Sequence, residues 1–155
     1  MTNINYQTFI GSEASAPPLS RCLDDADLLD CLGPNRDKFA THVRRLLEDP
    51  DPMNRPGVAV ATDASGKLLG VKTFTAGRDS IGGGWTAVKF GFGRLGICTD
   101  LDHAMARAAS ASGIGEIYEI PETPEGQSYL DNSPKHEVNA FGVYVRRVDT
   151  VAQGK

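Results

Sequence analysis

The hydrophobic period of the chain changes from helical to strand-like near residue 57, and this change sets the order of the elements. The segment GVAVATDASGKLLGVKTFTA contains two β-rich runs on either side of residues 63–67. Asp63 and Gly66 in that interval suit a tight turn, so the segment predicts a β-hairpin. Further strands are expected in WTAVKFGFG, GEIYEIP and FGVYVRRV.

Helical patterns precede the hairpin. Residues 1–20 end in APPLS and are expected to form an irregular lead-in. Ser20 is placed to cap a short helix that runs to about Leu32. The segment PNRDKFATHVRRLLEDP has apolar residues at helical spacing and predicts a second helix. Residues 49–57 are too rich in Pro and Asp for regular structure, so we expect a loop there.

One more helix is expected in TDLDHAMARAASAS, with Thr99 or Asp100 as its cap and Gly113 at its end. The element order is then two helices, three strands, one helix and two strands. This order predicts a single α+β domain over residues 1–155, in which two N-terminal helices are followed by a mainly antiparallel sheet with one further helix.

Composition and charge exclude several classes of protein. The chain of 155 residues is 40% hydrophobic and 23% charged, as in globular proteins that bury a core. A net charge of −4 argues against nucleic acid as a partner. No apolar run suits a membrane span and the amino terminus lacks a signal-peptide pattern, so a cytoplasmic protein is expected. The three cysteines lack CxxC spacing, which predicts reduced thiols.

Residues 91–96 spell the string GxGxxG. In dinucleotide-binding folds this string lies in the turn between a strand and a helix, where the helix amino terminus faces the pyrophosphate. Here Gly91 and Gly93 are expected inside a strand, and the helix is expected to begin only after Gly96. The expected placement of the glycines argues against a Rossmann-type site.

Cys98 stands just before an expected helix start, where the helix dipole can lower a thiol pKa. The fold could bring His136 to it as a base, which would give a cysteine-dependent enzyme. A structural cysteine is the favoured interpretation. Asp100, His103 and His136 lack compact ligand spacing, so no metal site is expected.

Three segments of the carboxyl-terminal third, LGICTDLDHAMARAA, GEIYEIPE and SPKHEVNAFGVYVRRV, together resemble the second half of ADP-ribosyltransferases of the cholera-toxin type. That family has a Ser-Thr-type motif before an Ala-containing helix, then a Tyr-x-Ile strand, and then a Glu-Val pair that opens another strand. The resemblance implies that NAD is the co-substrate. It also implies cleavage of the nicotinamide–ribose bond and transfer of ADP-ribose to a protein target.

The resemblance also implies roles for individual residues. Glu137 would be the catalytic glutamate, which stabilises an oxocarbenium-like transition state as nicotinamide leaves. Thr99 would occupy the Ser/Thr motif and position that acid. Arg78 would hold the dinucleotide phosphates, with Arg21 as the other candidate. Trp85, in GRDSIGGGW, is similar to the glycine-tryptophan stretch of related toxin domains and would contribute to the cofactor site.

The same residues permit a non-catalytic alternative, in which the chain is an α+β binding or regulatory module that acts through contacts with a protein partner. In this alternative Glu137 is an exposed charge at a strand edge, Thr99 is a helix cap and Trp85 belongs to the core. The two hypotheses differ in what the fold should show. A transferase would gather Glu137, Thr99 and an arginine in one cleft, whereas a module would expose an apolar patch.

Overall fold

The computed structural model shows one seven-stranded sheet with helices packed against it, and it describes residues 3–92, 95–121 and 124–149. The strands are β1 (Asn5–Ile10), β2 (Arg55–Thr62), β3 (Leu68–Ala76), β4 (Ser80–Val88), β5 (Glu116–Glu119), β6 (His136–Val138) and β7 (Tyr144–Arg147). The helices are α1 (Ser12–Asp24), α2 (Ala26–Asp30), α3 (Arg36–Glu48), α4 (Ile97–Ala111) and α5 (Pro124–Asp131), and a short 3-10 turn, Gly33–Asn35, precedes α3.

The strands lie in the order β1, β2, β3, β4, β5, β7, β6. Neighbouring strands are antiparallel except for β4 and β5, which run parallel and are connected through α4. A parallel pair needs a crossover connection, and α4 supplies it. The predicted α+β class with a mainly antiparallel sheet is therefore confirmed.

Two apolar layers hold the helices on opposite faces of the sheet. On one face, α1, α2 and α3 bury Leu19, Leu28 and Phe39 in a cluster with side chains of β2 and β3. On the other face, α4 buries Leu101 and Met105 against the same sheet. Each helix contributes one apolar stripe, as the helical spacing of its sequence predicts.

The predicted order is wrong at the amino terminus, because a strand comes first. Residues 1–20 contain β1, which pairs with β2, and much of α1. Pro17 and Pro18 lie inside α1, where each removes a backbone donor and disfavours a helix. Leu19 and Cys22 are completely buried in the core, so tertiary packing overrides the local preference.

Other boundaries also differ from the prediction. Strand β2 already begins at Arg55, inside the expected loop over residues 49–57, and α5 lies between the expected strands GEIYEIP and FGVYVRRV, where no helix was predicted. Strand β4 begins at Ser80, ahead of the strand expected in WTAVKFGFG, and it ends at Val88. The hairpin is confirmed: Asp63 Oδ1 accepts hydrogen bonds from the backbone N–H groups of Ser65 and Lys67, both at 2.9 Å.

Within the residues that the structure describes, no helix has both the length and the apolar composition needed to cross a bilayer. The cytoplasmic location stays a prediction.

Candidate active site

Strands β4 and β5 part from each other after three paired residues. Their ladder joins Ser80–Gly82 to Glu116–Tyr118, and no other described residue pairs with the remainder of that edge of β4. Strand β5 keeps its other edge on β7 up to Glu119. The parting leaves a row of backbone N–H and C=O groups of β4 available to a ligand, much as an exposed sheet edge is available to an added strand.

A cavity of about 680 Å³ opens where the two strands part. Its wall includes Gly84 and Trp85 of β4 and residues 119–121 at the end of β5. The segment 30–35 between α2 and α3 forms another side, and the opposite side comes from Cys98 and Asp102 of α4 and from α5. A volume of this size is in the range of small-molecule sites.

A second cavity, of about 260 Å³, shares Gly84, Trp85 and Ile120 with the first. Because both cavities use these residues, they adjoin at the parted strands. His42 of α3 and Tyr118 of β5 line the second cavity but not the first. His42 Nε2 lies 2.9 Å from Thr73 Oγ1, which accepts the backbone N–H of Trp85. This contact connects α3 to β3 and, through the Thr73 hydroxyl, to Trp85 of β4.

A buried ion pair lies in the wall of the first cavity. Lys72 of β3 bonds to Glu119 of β5, with β4 between the two strands. Gly83 makes the crossing possible, since a Cβ at Gly83 would lie 2.5 Å from Glu119 Cγ. Burial acts to lower the pKa of Lys72, but the charges of Glu119 and Asp102 outweigh it and raise that pKa above its ordinary value.

Glu119 is also held in its ionised form. Burial acts to raise its pKa, but the hydrogen bond from His136 and the charge of Lys72 lower it to about 2. The Glu119 carboxylate can only accept hydrogen bonds, so His136 Nε2, 2.9 Å from Oε2, carries the proton of that bond. Nδ1 of the same ring lies 2.7 Å from Ser133 Oγ. The two contacts fix the orientation of the imidazole.

A second ion pair extends the network to α4. Arg146 of β7 donates from Nη1 to Oδ2 of Asp102 at 3.0 Å, and Tyr129 of α5 donates its hydroxyl to the same oxygen at 3.2 Å. The other carboxylate oxygen, Oδ1, is buried and has no hydrogen-bond partner in the described part of the chain. Buried acceptors are rarely left unpaired in native proteins, so a ligand or a water molecule is the expected partner.

Asp102, Glu119 and His136 offer ligand atoms that all lie within 4.8 Å of one another. A metal ion does not fit this cluster well, because Lys72 and Arg146 already neutralise its two carboxylates. The Nε2 atom that would have to bind the ion donates its proton to Glu119 instead. We therefore interpret the cluster as a charge-balanced support for the cavity. This cluster shares His136 with the set Asp100, His103 and His136 that was considered from the sequence, but its other two members are different residues.

Cys98 is a weak nucleophile in this position. Burial raises its pKa, and the Lys72 charge opposes this only in part. His136 is committed to Glu119 and Ser133, so the hypothesis of a cysteine activated by His136 receives no support from the contacts. Cys98 contributes instead to the wall of the cavity.

The glycine string lies in a different place from the one predicted. Strand β4 ends at Val88 and α4 begins at Ile97, so Gly91 is in the connection between a strand and a helix. Gly96, at φ 74°, is the residue before the first turn of α4. Gly93 lies outside the described residues. Gly91 and Gly96 therefore have the strand-to-helix position that was considered absent, although β4 and β5 are the one parallel pair among the described strands and the sheet is not a Rossmann sheet.

Of the four residues selected from sequence, Trp85 alone lines the cavity. Thr99 lies in the first turn of α4, and Arg78 in the turn between β3 and β4. Glu137 is exposed on the edge strand β6, where it pairs with Val145. The expected cleft of Glu137, Thr99 and an arginine does not coincide with the cavity, whose charged groups are Lys72, Glu119 and Asp102 together with Asp30.

Solved structures with this architecture match almost the whole chain. PaiA N-acetyltransferase from Thermoplasma acidophilum, in complex with coenzyme A, is 13% identical with a TM-score of 0.60, covering 95% of this chain and 99% of that chain. A GNAT-family acetyltransferase from Staphylococcus aureus Mu50 is 12% identical with a TM-score of 0.61, covering 95% and 100%. The chain has the fold of GNAT acetyltransferases. YhbS, a GNAT-family N-acetyltransferase from Escherichia coli in complex with CoA, is 14% identical with a TM-score of 0.55, covering 94% and 82%.

No protein-family model matches the sequence, and no curated protein matches it. The GNAT fold nevertheless corrects the assignment made from sequence. The resemblance to ADP-ribosyltransferases is wrong, and so are the NAD co-substrate and the transfer of ADP-ribose, because the neighbours have the GNAT fold and two of them hold coenzyme A. The three matched segments omitted α5, which lies between β5 and β6 in the chain. The non-catalytic alternative gains no better support from the fold.

Sequence reasoning missed the residues that form the cavity wall. Lys72 and Glu119 are charged residues at inward positions of apolar strands, and Asp102 shares the buried side of α4 with Leu101 and Met105. Charged residues are rarely buried unless they are paired, so each was a usable signal. Tyr129 carried no such signal, since its segment was taken as a loop.

Proposed function

We propose that this protein is an acyltransferase that takes the acyl group of a coenzyme A thioester and transfers it to an amine. The observation that carries the proposal is the parting of β4 from β5 next to a cavity of about 680 Å³, in a chain with the GNAT fold. A thioester bound there supplies an activated acyl carbon. The chain itself supplies binding, orientation and proton transfer.

Two features of the chain suit the donor molecule. The pantetheine arm is extended and has two amides, so it can hydrogen-bond to the backbone edge that β4 presents after Gly82. The connection that contains Gly91 and Gly96 leads into the amino terminus of α4. A helix amino terminus attracts phosphate groups through its unpaired N–H groups and its dipole. The pyrophosphate of coenzyme A is assigned to this end of α4.

Tyr129 is assigned as the proton donor to the departing thiolate. It lines the cavity, and its one O–H proton bonds to Asp102 Oδ2 in the structure. That proton would turn to the thiolate sulfur as the thioester bond breaks, and solvent would return a proton to the phenolate. Burial and the charge of Asp102 raise its pKa, so the phenol keeps its proton over the whole physiological range. A proton positioned beside a leaving group accelerates its departure.

The acceptor amine is assigned to the second cavity, which adjoins the donor cavity at Gly84 and Trp85. An amine there would approach the thioester from the side of the sheet that faces α3. His42 lines this cavity and is placed to take up the proton that the amine loses on acylation. The chemical identity of the amine and any protein partner stay predictions, as does the exclusion of nucleic acid.

The proposal is tested by calorimetric titration of the purified protein with coenzyme A, with NAD as the comparison ligand. Saturable binding of coenzyme A, together with no binding of NAD, is expected. Release of free thiol from acetyl-CoA is then followed with a panel of primary amines, including lysine peptides and polyamines. The absence of coenzyme A binding at millimolar concentration would refute the proposal.

A further inference from the structure

Lys72 and Asp102 present an unmatched hydrogen-bond donor and an unmatched acceptor in the wall of the same cavity. The Lys72 ammonium has three N–H groups, and among the described residues it donates a hydrogen bond to Glu119. Asp102 has an acceptor, Oδ1, that no described residue reaches. The exposed fractions of the two side chains are 8% and 3%, so bulk water does not satisfy either group freely.

The charges around these two groups are already balanced. Lys72 is paired with Glu119, Arg146 is paired with Asp102, and the ring of His136 lies between the two carboxylates. A ligand group that carries a full charge would upset this balance in a buried site, where unpaired charge is costly. The group that fits is therefore neutral, and it offers both one acceptor and one donor.

We propose that Lys72 and Asp102 recognise one of the two pantetheine amides of the acyl donor. The amide C=O accepts from Lys72 Nζ, and the amide N–H donates to Asp102 Oδ1. Both contacts are charge-assisted hydrogen bonds in a site closed to bulk water, the setting in which such bonds are strongest. This inference rests on the proposed function, because it takes coenzyme A as the ligand of the cavity.

The neighbours of the pair explain why the two groups stay available. Glu119 holds Lys72 from one side, across Gly83, and Arg146 and Tyr129 both occupy Oδ2 of Asp102. Oδ1 is thereby left as the oxygen that a ligand can reach. These contacts hold Lys72 and Asp102 in place and leave a donor of Lys72 and the acceptor Oδ1 of Asp102 available to a ligand.

The test compares coenzyme A with two analogues, each of which has an ester in place of one pantetheine amide. Replacing N–H by oxygen sets a lone pair against Oδ1, so the wild type should bind at least one analogue about tenfold more weakly than coenzyme A. In Asp102→Asn, Arg146 and Tyr129 hold the amide oxygen at the Oδ2 position, which leaves the NH₂ group at the Oδ1 position. That variant should lose or reverse the preference for the amide.

A second arm removes the donor. In the double variant Lys72→Met/Glu119→Gln both partners of the pair become neutral, and coenzyme A should bind about tenfold more weakly than in the wild type. The control is Arg147→Gln/Glu116→Gln, which removes another ion pair of β5, to β7 (Nη1 to Oε2 3.7 Å), outside the wall of the cavity. The control should keep the wild-type affinity, and circular dichroism confirms that each variant is folded.

Two results would overturn the inference while leaving the proposed function intact. One is equal affinity of the wild type for coenzyme A and for both ester analogues. The other is equal affinity of Lys72→Met/Glu119→Gln and of its Arg147/Glu116 control for coenzyme A. If the wild type binds no coenzyme A at all, the proposed function itself fails, and this inference fails with it.

Discussion

Lys72 and Glu119, 47 residues apart in the sequence, form a buried ion pair across β4 above Gly83. The pair connects β3 to β5 at the point where β4 and β5 separate. It therefore joins the strands on either side of the cavity although their backbones do not pair with each other. The ion pair can cross β4 because Gly83 has no side chain.

Substitution of Gly83 by Ala should destabilise the protein by about 1–3 kcal/mol, because the new methyl group would lie within 3 Å of the Glu119 side chain. Urea unfolding of the wild type and the variant measures this loss. Gly82→Ala is the control on the same strand, since its Cβ would meet Thr75 Oγ1 at 3.1 Å, the end of a small side chain. If Gly83→Ala loses no more unfolding free energy than Gly82→Ala, then Glu119 does not pack tightly against Gly83.

The Lys72–Glu119 pair should make stability fall at acid pH. The pKa of Glu119 is about 2 in the folded protein and 4.5 ordinarily, so the ionised carboxylate stabilises the fold above pH 4.5. This contribution is lost as the pH falls from 4.5 towards 2. The free energy of unfolding, measured over that window, should decrease less steeply in Lys72→Met/Glu119→Gln than in the wild type.

Glu137→Gln is the comparison for the acid titration, because the Glu137 side chain is exposed on the edge strand β6. It should follow the wild-type curve. Parallel curves for the wild type and the Lys72/Glu119 double variant would contradict the assigned pKa.

Tyr129→Phe should lower the rate of acyl transfer by about 10²-fold or more, with little change in the affinity for coenzyme A, because the substitution removes the proton donor and keeps the ring. Stopped-flow detection of the released thiol measures the rate. Tyr144→Phe is the matched control, since the Tyr144 hydroxyl bonds to Asp131 and Gln127 and does not line the cavity. Equal rates in the two variants would show that Tyr129 is not the proton donor.

His42→Gln should reduce acyl transfer to an amine by about 10²-fold, because glutamine cannot take up the proton. Arg44→Gln, an exposed position on the same helix, is the control and should retain wild-type turnover. An unchanged rate in His42→Gln would assign proton uptake to another group. The affinity for coenzyme A should be the same in both variants, since the donor lies in the other cavity.

The sequence by itself determined the elements whose pattern repeats over many residues. The hairpin around Asp63 and Gly66, the amphipathic helix α3 and the buried stripe of α4 follow from local period and turn chemistry, and the α+β class follows from their order. Each of these features depends on residues that are close together in the chain.

Only the tertiary structure decided the rest. It placed β1 and α1 in a segment that its prolines mark as irregular, because burial of Leu19 and Cys22 outweighs the local cost. It parted β4 from β5 and brought Lys72, Glu119, Asp102 and Tyr129 to one cavity from four different elements. Such a site depends on which strands are neighbours in the sheet. Neighbouring strands are chosen by packing over the whole chain, so local patterns can mark Lys72, Glu119 and Asp102 as charges at buried positions but cannot show that they share one cavity.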